Sequence, residues 1–461
     1  MNIAASGEFW LPETPDETVR GAFKADAGKQ PEAVLDDALV EDPRVSRTAT
    51  GSLMYARGAA GGVKASLPVT MQGRLDSGES VTLVNAQNWG DPGRPFGSPR
   101  YQAHYAIVGE RHTSGPEQLF SAMRFRFGDP YWLGHLQSGE AAAAGGNGST
   151  LSIEGADDGN WLLYTSATPL TLQRLETMVE SACLTLAELA LDQGFEARDT
   201  WVRINEGDAW LRVYGPGANT PPKEFDYRTL LPREELTLER FANWIPINDT
   251  LDGIGRVAGR PLEGFLETQA LLVTTLLEGL HRRLHKTFQQ SKFPGAPPSA
   301  LDSVKQAARR AAKAKAADRN DPNLDPQQVH TAVMKSISHF DDVEYIDRAT
   351  DVVTRVSPAL PELTESLSVA DLAEHMKKSR NEMAHQLLRE EKEPLAARHL
   401  RWLIVTHTTP WLLRGLLLLE AGVEPSVIHL HHQRHIRYPS ACANVTQFVS
   451  ELGSQLPPTT G

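Results

Sequence analysis

The stretch SRNEMAHQL, Ser379 to Leu387, sets an arginine, an asparagine and a histidine close together: Arg380, Asn381 and His385. A guanidinium binds a phosphate through paired N–H donors and stabilises charge that builds on its oxygens. An imidazole with an ordinary pKa near 6.5 moves protons at neutral pH, and a carboxamide beside it orients the ring or a substrate by hydrogen bonding. The set therefore suits proton transfer beside a phosphate. The bare pattern is not specific: in a chain of this composition, an arginine and a histidine separated by four to six residues are expected roughly three times by chance. A second instance, RWLIVTH from Arg401 to His407, lies in an apolar segment and reads as core. Requiring Asn, Asp or His after the arginine lowers the chance expectation to below about one. Spacing alone leaves a solvated helix face as good an explanation as catalysis.

The element that must position these residues is a helix. Ser368 and Asp371 form an S-x-x-D capping signature just ahead of DLAEHMKKSRNEMAHQLLREE. At about 100° per residue, Leu372, Met376, Met383 and Leu387 form one apolar stripe, while Glu374, Lys378, Asn381 and His385 lie opposite. Asn381 and His385 are one turn apart. Arg380 sits at the edge between the faces, where its stem can run along apolar surface and bring its charge to the polar side. Lys377 and Lys378 are candidate supporting cations, with solvated lysines as the default reading.

Two kinds of pattern divide the rest of the chain. Up to about residue 235, alternating runs such as ESVTLVNAQ, RYQAHYAIVG, SAMRFRFG, NWLLYTS and DTWVRINEGDAWLRVYG predict an antiparallel β domain. One segment within it, LTLQRLETMVESACLTLAELALDQG, has helical spacing through Leu172, Leu175, Val179, Ala182, Leu186 and Leu189, with Gly194 as its expected stop. Beyond the turn-rich GPGANTPPKEFD, helical patterns take over, and a boundary near residue 240 follows. The basic, alanine-rich segment 301–320 reads as a solvated helix rather than an RNA contact. The cluster His429, His431, His432 and His435 lacks an evident carboxylate or a distant third histidine, so a packed or RNA-facing terminal helix is preferred to a metal site. Trp10, Trp132, Trp161 and Trp201 are expected mostly to pack in the core.

Composition narrows the classes. A chain of 461 residues is expected to form two or three domains. Its net charge of -12 argues against broad, non-specific grip on nucleic acid, so any RNA contact must be local. The apolar run WLLRGLLLLEAG is interrupted by Arg414 and ended by Glu420, and reads as a buried helix rather than a membrane span. Cys183 and Cys442 stand apart without a partner motif, which argues against a disulfide framework and a cysteine zinc site. The N-terminus has no secretory pattern, so the expected location is cytoplasmic.

With these residues in place, Arg380, Asn381 and His385 resemble the R-N-x3-H motif of HEPN ribonucleases, nucleases of toxin and anti-viral systems. The N-terminal half is similar to the ApeA-type domain found ahead of such a HEPN domain in bacterial anti-phage proteins. The similar pieces are GEFWLPETPDETVRGAF, VTLVNA, YQAHYAIVGERH and MRFRFGDPYWLG. The resemblance implies an α+β chain: a β-rich sensor or regulatory domain over 1–238, then an all-α HEPN-like bundle over 239–461. It also implies a glutamate on the first helix of that bundle, for which Glu278 in LLEGLHRRLH is the candidate. The implied activity is metal-independent cleavage of RNA, tRNA among the candidate substrates, through 2′-hydroxyl attack. The implied site forms where two HEPN domains meet, in a homodimer or higher homo-oligomer, with no cofactor, metal or membrane. Abortive-infection defence, released by a phage-derived trigger, is the implied setting. The alternative is a non-catalytic HEPN-like scaffold or dimerisation protein; a metal-dependent nuclease ranks last.

Overall fold

The computed structural model describes residues 2–26, 28–40, 45–47, 53–55, 67–89, 98–157, 159–192, 194–216, 229–260, 262–285, 292–293, 295–319, 325–338, 340–385 and 394–455, the side chains of 45–47, 53–55 and 383–385 excepted. The chain divides into two compact units, residues 1–261 with 417–435, and residues 262–416 with 436–461. The first unit runs past residue 238 to take in two further helices.

The alternating runs of the first unit become strands: β1 Ile3–Trp10, β2 Val19–Ala25, β3 Glu32–Leu35, β4 Val45–Arg47, β5 Leu53–Tyr55, β6 Val69–Leu75, β7 Ser80–Asn88, β8 Arg100–Gln102, β9 Tyr105–Gly109, β10 Leu119–Phe127, β11 Ala141–Ala143, β12 Thr150–Glu154, β13 Trp161–Thr171, β14 Ala197–Arg203 and β15 Leu211–Tyr214. β4 and β5 form a separate ribbon, and the others share one sheet in the order β11-β12-β13-β10-β14-β15-β9-β7-β6-β1-β2-β3-β8. β8 pairs back onto the end of β7, so β7, β6, β1, β2, β3 and β8 close into a barrel. Closure depends on a bulge. Between Val69 and Met71 the β6–β7 register gains a residue on β7, where Asn85 takes a left-handed φ of 53°. Bulges bend and twist a strand. Here β7 pairs β9 over Ser80–Val84 and turns to β8 at Gln87 and Asn88.

Phe9, Phe23, Leu35, Met71, Val81, Leu83 and Tyr101 fill the barrel, each no more than 1% exposed. Gly73 matters at this crossing: a Cβ there would meet the ring of Phe9 at 2.5 Å. Beyond the barrel, Arg124 lies over the rings of Trp161 and Trp210 at 4.8 and 4.5 Å, and Arg126 over Trp161 at 4.2 Å. Asp199 holds Arg126 and Arg212 at 2.8 and 2.6 Å. Trp132 and Trp161 are buried as expected, while Trp10 and Trp201 are only partly so.

The helical segment of this unit is α1 Leu172–Leu175, a π-turn over Glu176–Glu180 and α2 Ser181–Leu191. All six residues of its expected apolar stripe are buried. It stops at Asp192, in the left-handed conformation at φ 56°, before Gly194 is reached. Two more helices, α3 Leu238–Leu251 and α4 Ile254–Gly259, complete the part before residue 261.

The second unit contains α5 Leu266–Leu284, α6 Pro298–Arg319, α7 Pro326–Ile337, α8 Tyr345–Val356 and α9 Val369–His385. It also takes most of α10 Leu395–Glu420; α11 Pro425–Arg434 falls in the first unit and α12 Arg437–Gln455 in the second. The chain is thus α+β, strands first and helices after. Within α6 only Ala316 is buried, the behaviour of a solvated helix. α10 is long and apolar enough to cross a membrane by length and composition, and it is mostly buried, with Trp402, Ile404, Val405 and Leu412 in the core. Cys183 and Cys442 are both free thiols.

Candidate active site

α9 starts where the sequence places its cap. The Ser368 hydroxyl accepts from the Asp371 backbone N–H at 3.1 Å and donates to the Asp371 carboxylate at 2.6 Å. One orphan N–H of the first turn is thereby satisfied, and the acid lies at the positive end of the helix. Leu372, Met376 and Ser379 then face inward at helical spacing, all unexposed to solvent. α9 packs on α5 and α8. The expected stripe continued through Met383 and Leu387; the side chain of the first, and all of the second, lie outside the described residues.

On this frame Lys378 and Asn381 are exposed and Arg380 is partly buried. The Arg380 Nη2 is 2.7 Å from the Glu278 carboxylate on α5. The same guanidinium lies over the ring of Tyr345, the first residue of α8, at 5.1 Å. Arg282, one turn along α5, donates to the other Glu278 oxygen at 2.8 Å. Three helices thus fix one arginine: α9 carries it, α5 supplies its counter-ion and α8 its aromatic support. A cation over a ring with a carboxylate at hydrogen-bond distance is held in orientation as well as in charge state. Lys377 is turned to Glu374 at 3.3 Å. His385 ends α9, one turn after Asn381, and its side chain lies outside the described residues.

The neighbourhood includes groups the sequence reading passed over. Tyr345 is one. Its hydroxyl is buried without a hydrogen-bond partner among the described residues, and burial pushes its pKa well above the ordinary tyrosine value. His281 is another: unexposed, one turn before His285, it touches Asp351 and Arg348 of α8. Burial lowers its pKa to about 4. The available signal was the spacing of Tyr345, Arg348 and Asp351 along one edge of an amphipathic helix, which marks neighbours but not their partner.

The second arginine–histidine pair behaves as core. Arg401 is 2% exposed and pairs with Glu382, and Trp402 is buried. His407 engages the Leu403 carbonyl at 2.9 Å, within its own helix, and stacks edge-on to Phe448. In α11 His432 is likewise turned onto the Ile428 carbonyl, at 2.9 Å. No group of three or more metal-ligating side chains occurs among the described residues.

Residues 5–160 match the family model described as ApeA N-terminal domain 1, a span that starts within β1, takes in the rest of the barrel and continues through β12. The match covers less than half of the chain and supports an ApeA-like family. No curated protein and no solved structure matches the chain.

Proposed function

We propose that the chain is a metal-independent endoribonuclease of bacterial anti-phage defence, with Arg380, Asn381 and His385 as its catalytic residues. The observation that carries this reading is the Glu278–Arg380 ion pair, which joins the one helix-borne glutamate expected from the family to the one arginine of the motif. The ApeA-type match in residues 5–160 supports the defence setting.

In this reading Arg380 binds the scissile phosphate, and Glu278 with Tyr345 positions the guanidinium. Arg380 is partly exposed, so the approach of a phosphate does not require a buried charge to be uncovered. His385 takes the proton of the ribose 2′-hydroxyl. The 2′-oxygen attacks phosphorus, the bond to the 5′-oxygen breaks, and the departing oxygen takes a proton from a second imidazolium. One copy of α9 supplies one motif histidine, His385. A homodimer that brings two copies of α9 together supplies both, which is the assembly implied by the family resemblance. Asn381 orients the imidazole or the substrate, and exposed Lys378 adds positive charge for the RNA backbone.

The test is incubation of purified protein with total bacterial RNA and with tRNA, with and without a chelator, beside Arg380→Ala and His385→Ala variants. Cleavage that survives the chelator and is lost in both variants is expected. A His385→Ala chain that cleaves like the parent would replace this reading with the non-catalytic scaffold.

A further inference from the structure

The first unit contains a cavity of about 850 Å³, lined by none of the motif residues and within the size range of small-molecule sites. Its wall includes the π-turn Glu176–Glu180. Single π-turns inside helices occur frequently at functional sites. This one brings Glu176 and Glu180 to the same wall, close enough for the Glu180 charge to oppose ionisation of Glu176. Glu180 accepts from the Thr200 hydroxyl at 2.7 Å, whereas the Glu176 carboxylate has no hydrogen bond or ion pair among the described residues.

The positive charges on the same wall are already taken. Arg174 pairs with Asp249 at 2.6 Å. Arg256 and Arg260 converge on Glu188, at 3.3 and 2.8 Å, and that carboxylate is unexposed to solvent. Glu180 still feels the Arg256 charge beside its bond from Thr200, and Glu176 is the glutamate left without an ion pair among the described residues. A second feature is independent of them: Asn248 lines the cavity, is 2% exposed, and its Oδ1 has no hydrogen-bond partner among the described residues. A buried carboxamide acceptor left unpaired is destabilising, and such a group in a native fold calls for a partner that completes its bonding.

We propose that this cavity binds the cationic head of an organic ligand, a guanidinium or ammonium group, between Glu176, Glu180 and Asn248. All three groups offer acceptors, and a nitrogen cation supplies both the donors and the charge they lack. Burial, and then the charge of Glu180, push the Glu176 pKa up to about 8, so without a cation the pair holds a proton in its place. The inference is independent of the ribonuclease reading, because its readout is binding.

Calorimetric titration of the full chain with butylguanidine, with neutral butylurea of the same shape, and with a capped Gly-Arg-Gly peptide tests it. Saturable binding of butylguanidine but not butylurea is expected, and the peptide distinguishes a free small cation from an arginine side chain of a protein. Glu176→Gln and Asn248→Ala are each expected to weaken binding tenfold or more, about 1.4 kcal/mol. Glu176→Gln replaces a protonated carboxyl with a neutral carboxamide of the same shape and should fold normally, with circular dichroism as the check. The proposal is overturned if neither cation binds, if butylurea binds equally well, or if Glu176→Gln binds like the parent chain.

Discussion

His281 is enclosed between α5 and α8, and its two ring nitrogens have partners of opposite character. Arg348 donates to Nδ1 at 3.2 Å, and Nε2–H donates to Asp351 at 3.0 Å. An arginine can only donate, so this arrangement needs a lone pair on Nδ1 and fixes the neutral imidazole. Protonation would set an N–H against the guanidinium inside a closed site. Burial is the main cause of the lowered pKa, and Asp351 opposes it only in part. Because the folded value, about 4, lies below the ordinary 6.5, the unfolded chain takes up a proton that the folded chain refuses. Stability from this group is therefore complete above pH 6.5 and is lost as the pH falls from 6.5 towards 4. Linkage between those two values gives a loss of about 2 kcal/mol from pH 7 to pH 5.

The perturbation is His281→Gln, whose carboxamide can donate to Asp351 and accept from Arg348 without titrating in this range. Urea unfolding of the second unit at pH 7 and pH 5 is expected to show a smaller acid penalty in the variant, by about 2 kcal/mol. Every other titrating group is shared and cancels in the difference. Carbon-13 labelling of the histidine rings gives a direct check, with the variant assigning the signal. A His281 resonance that titrates at or above pH 6 refutes the reasoning. So does an identical acid penalty in the two chains.

Glu278→Gln is expected to lower RNA cleavage by tenfold or more, equivalent to about 1.4 kcal/mol of transition-state stabilisation, with stability changed by less than about 1 kcal/mol because the pair is partly exposed. Unchanged cleavage rates would remove Glu278 from the site. Product ends mapped with phosphatase and kinase are expected to be 2′,3′-cyclic phosphate and 5′-hydroxyl, and a single 2′-deoxy substitution at the scissile nucleotide is expected to block cutting; 5′-phosphate ends would point to a metal-dependent reaction. Sedimentation at micromolar concentration is expected to give a dimer or larger, and a strict monomer with full activity would contradict the shared site.

Local geometry explains how much was legible beforehand. Period-two alternation needs only that successive side chains of a strand point to opposite faces, so β7, β10 and β13 could be read from ESVTLVNAQ, SAMRFRFG and NWLLYTS. The cap of α9 depends on residues three apart, and Ser368 with Asp371 was visible for that reason. The apolar company of Arg401 likewise marked it as core before its pairing with Glu382 was known. Tertiary structure decided what no short window contains. The bulge at Asn85 lets one edge of β7 serve β9 and then β8, and the barrel closes through a pairing that the strand pattern does not encode. Glu278 and Arg380 meet across the sequence because α5 and α9 pack together, and Tyr345 joins them from α8. The three acceptors around the cavity come from a π-turn and a separate helix, and in the sequence Glu176 and Glu180 look like ordinary polar interruptions of an apolar stripe. A side chain's type and its position along an element follow from neighbours within a turn or two. Its counter-ion, its burial and hence its protonation follow from which elements pack against it, and only the folded chain sets those.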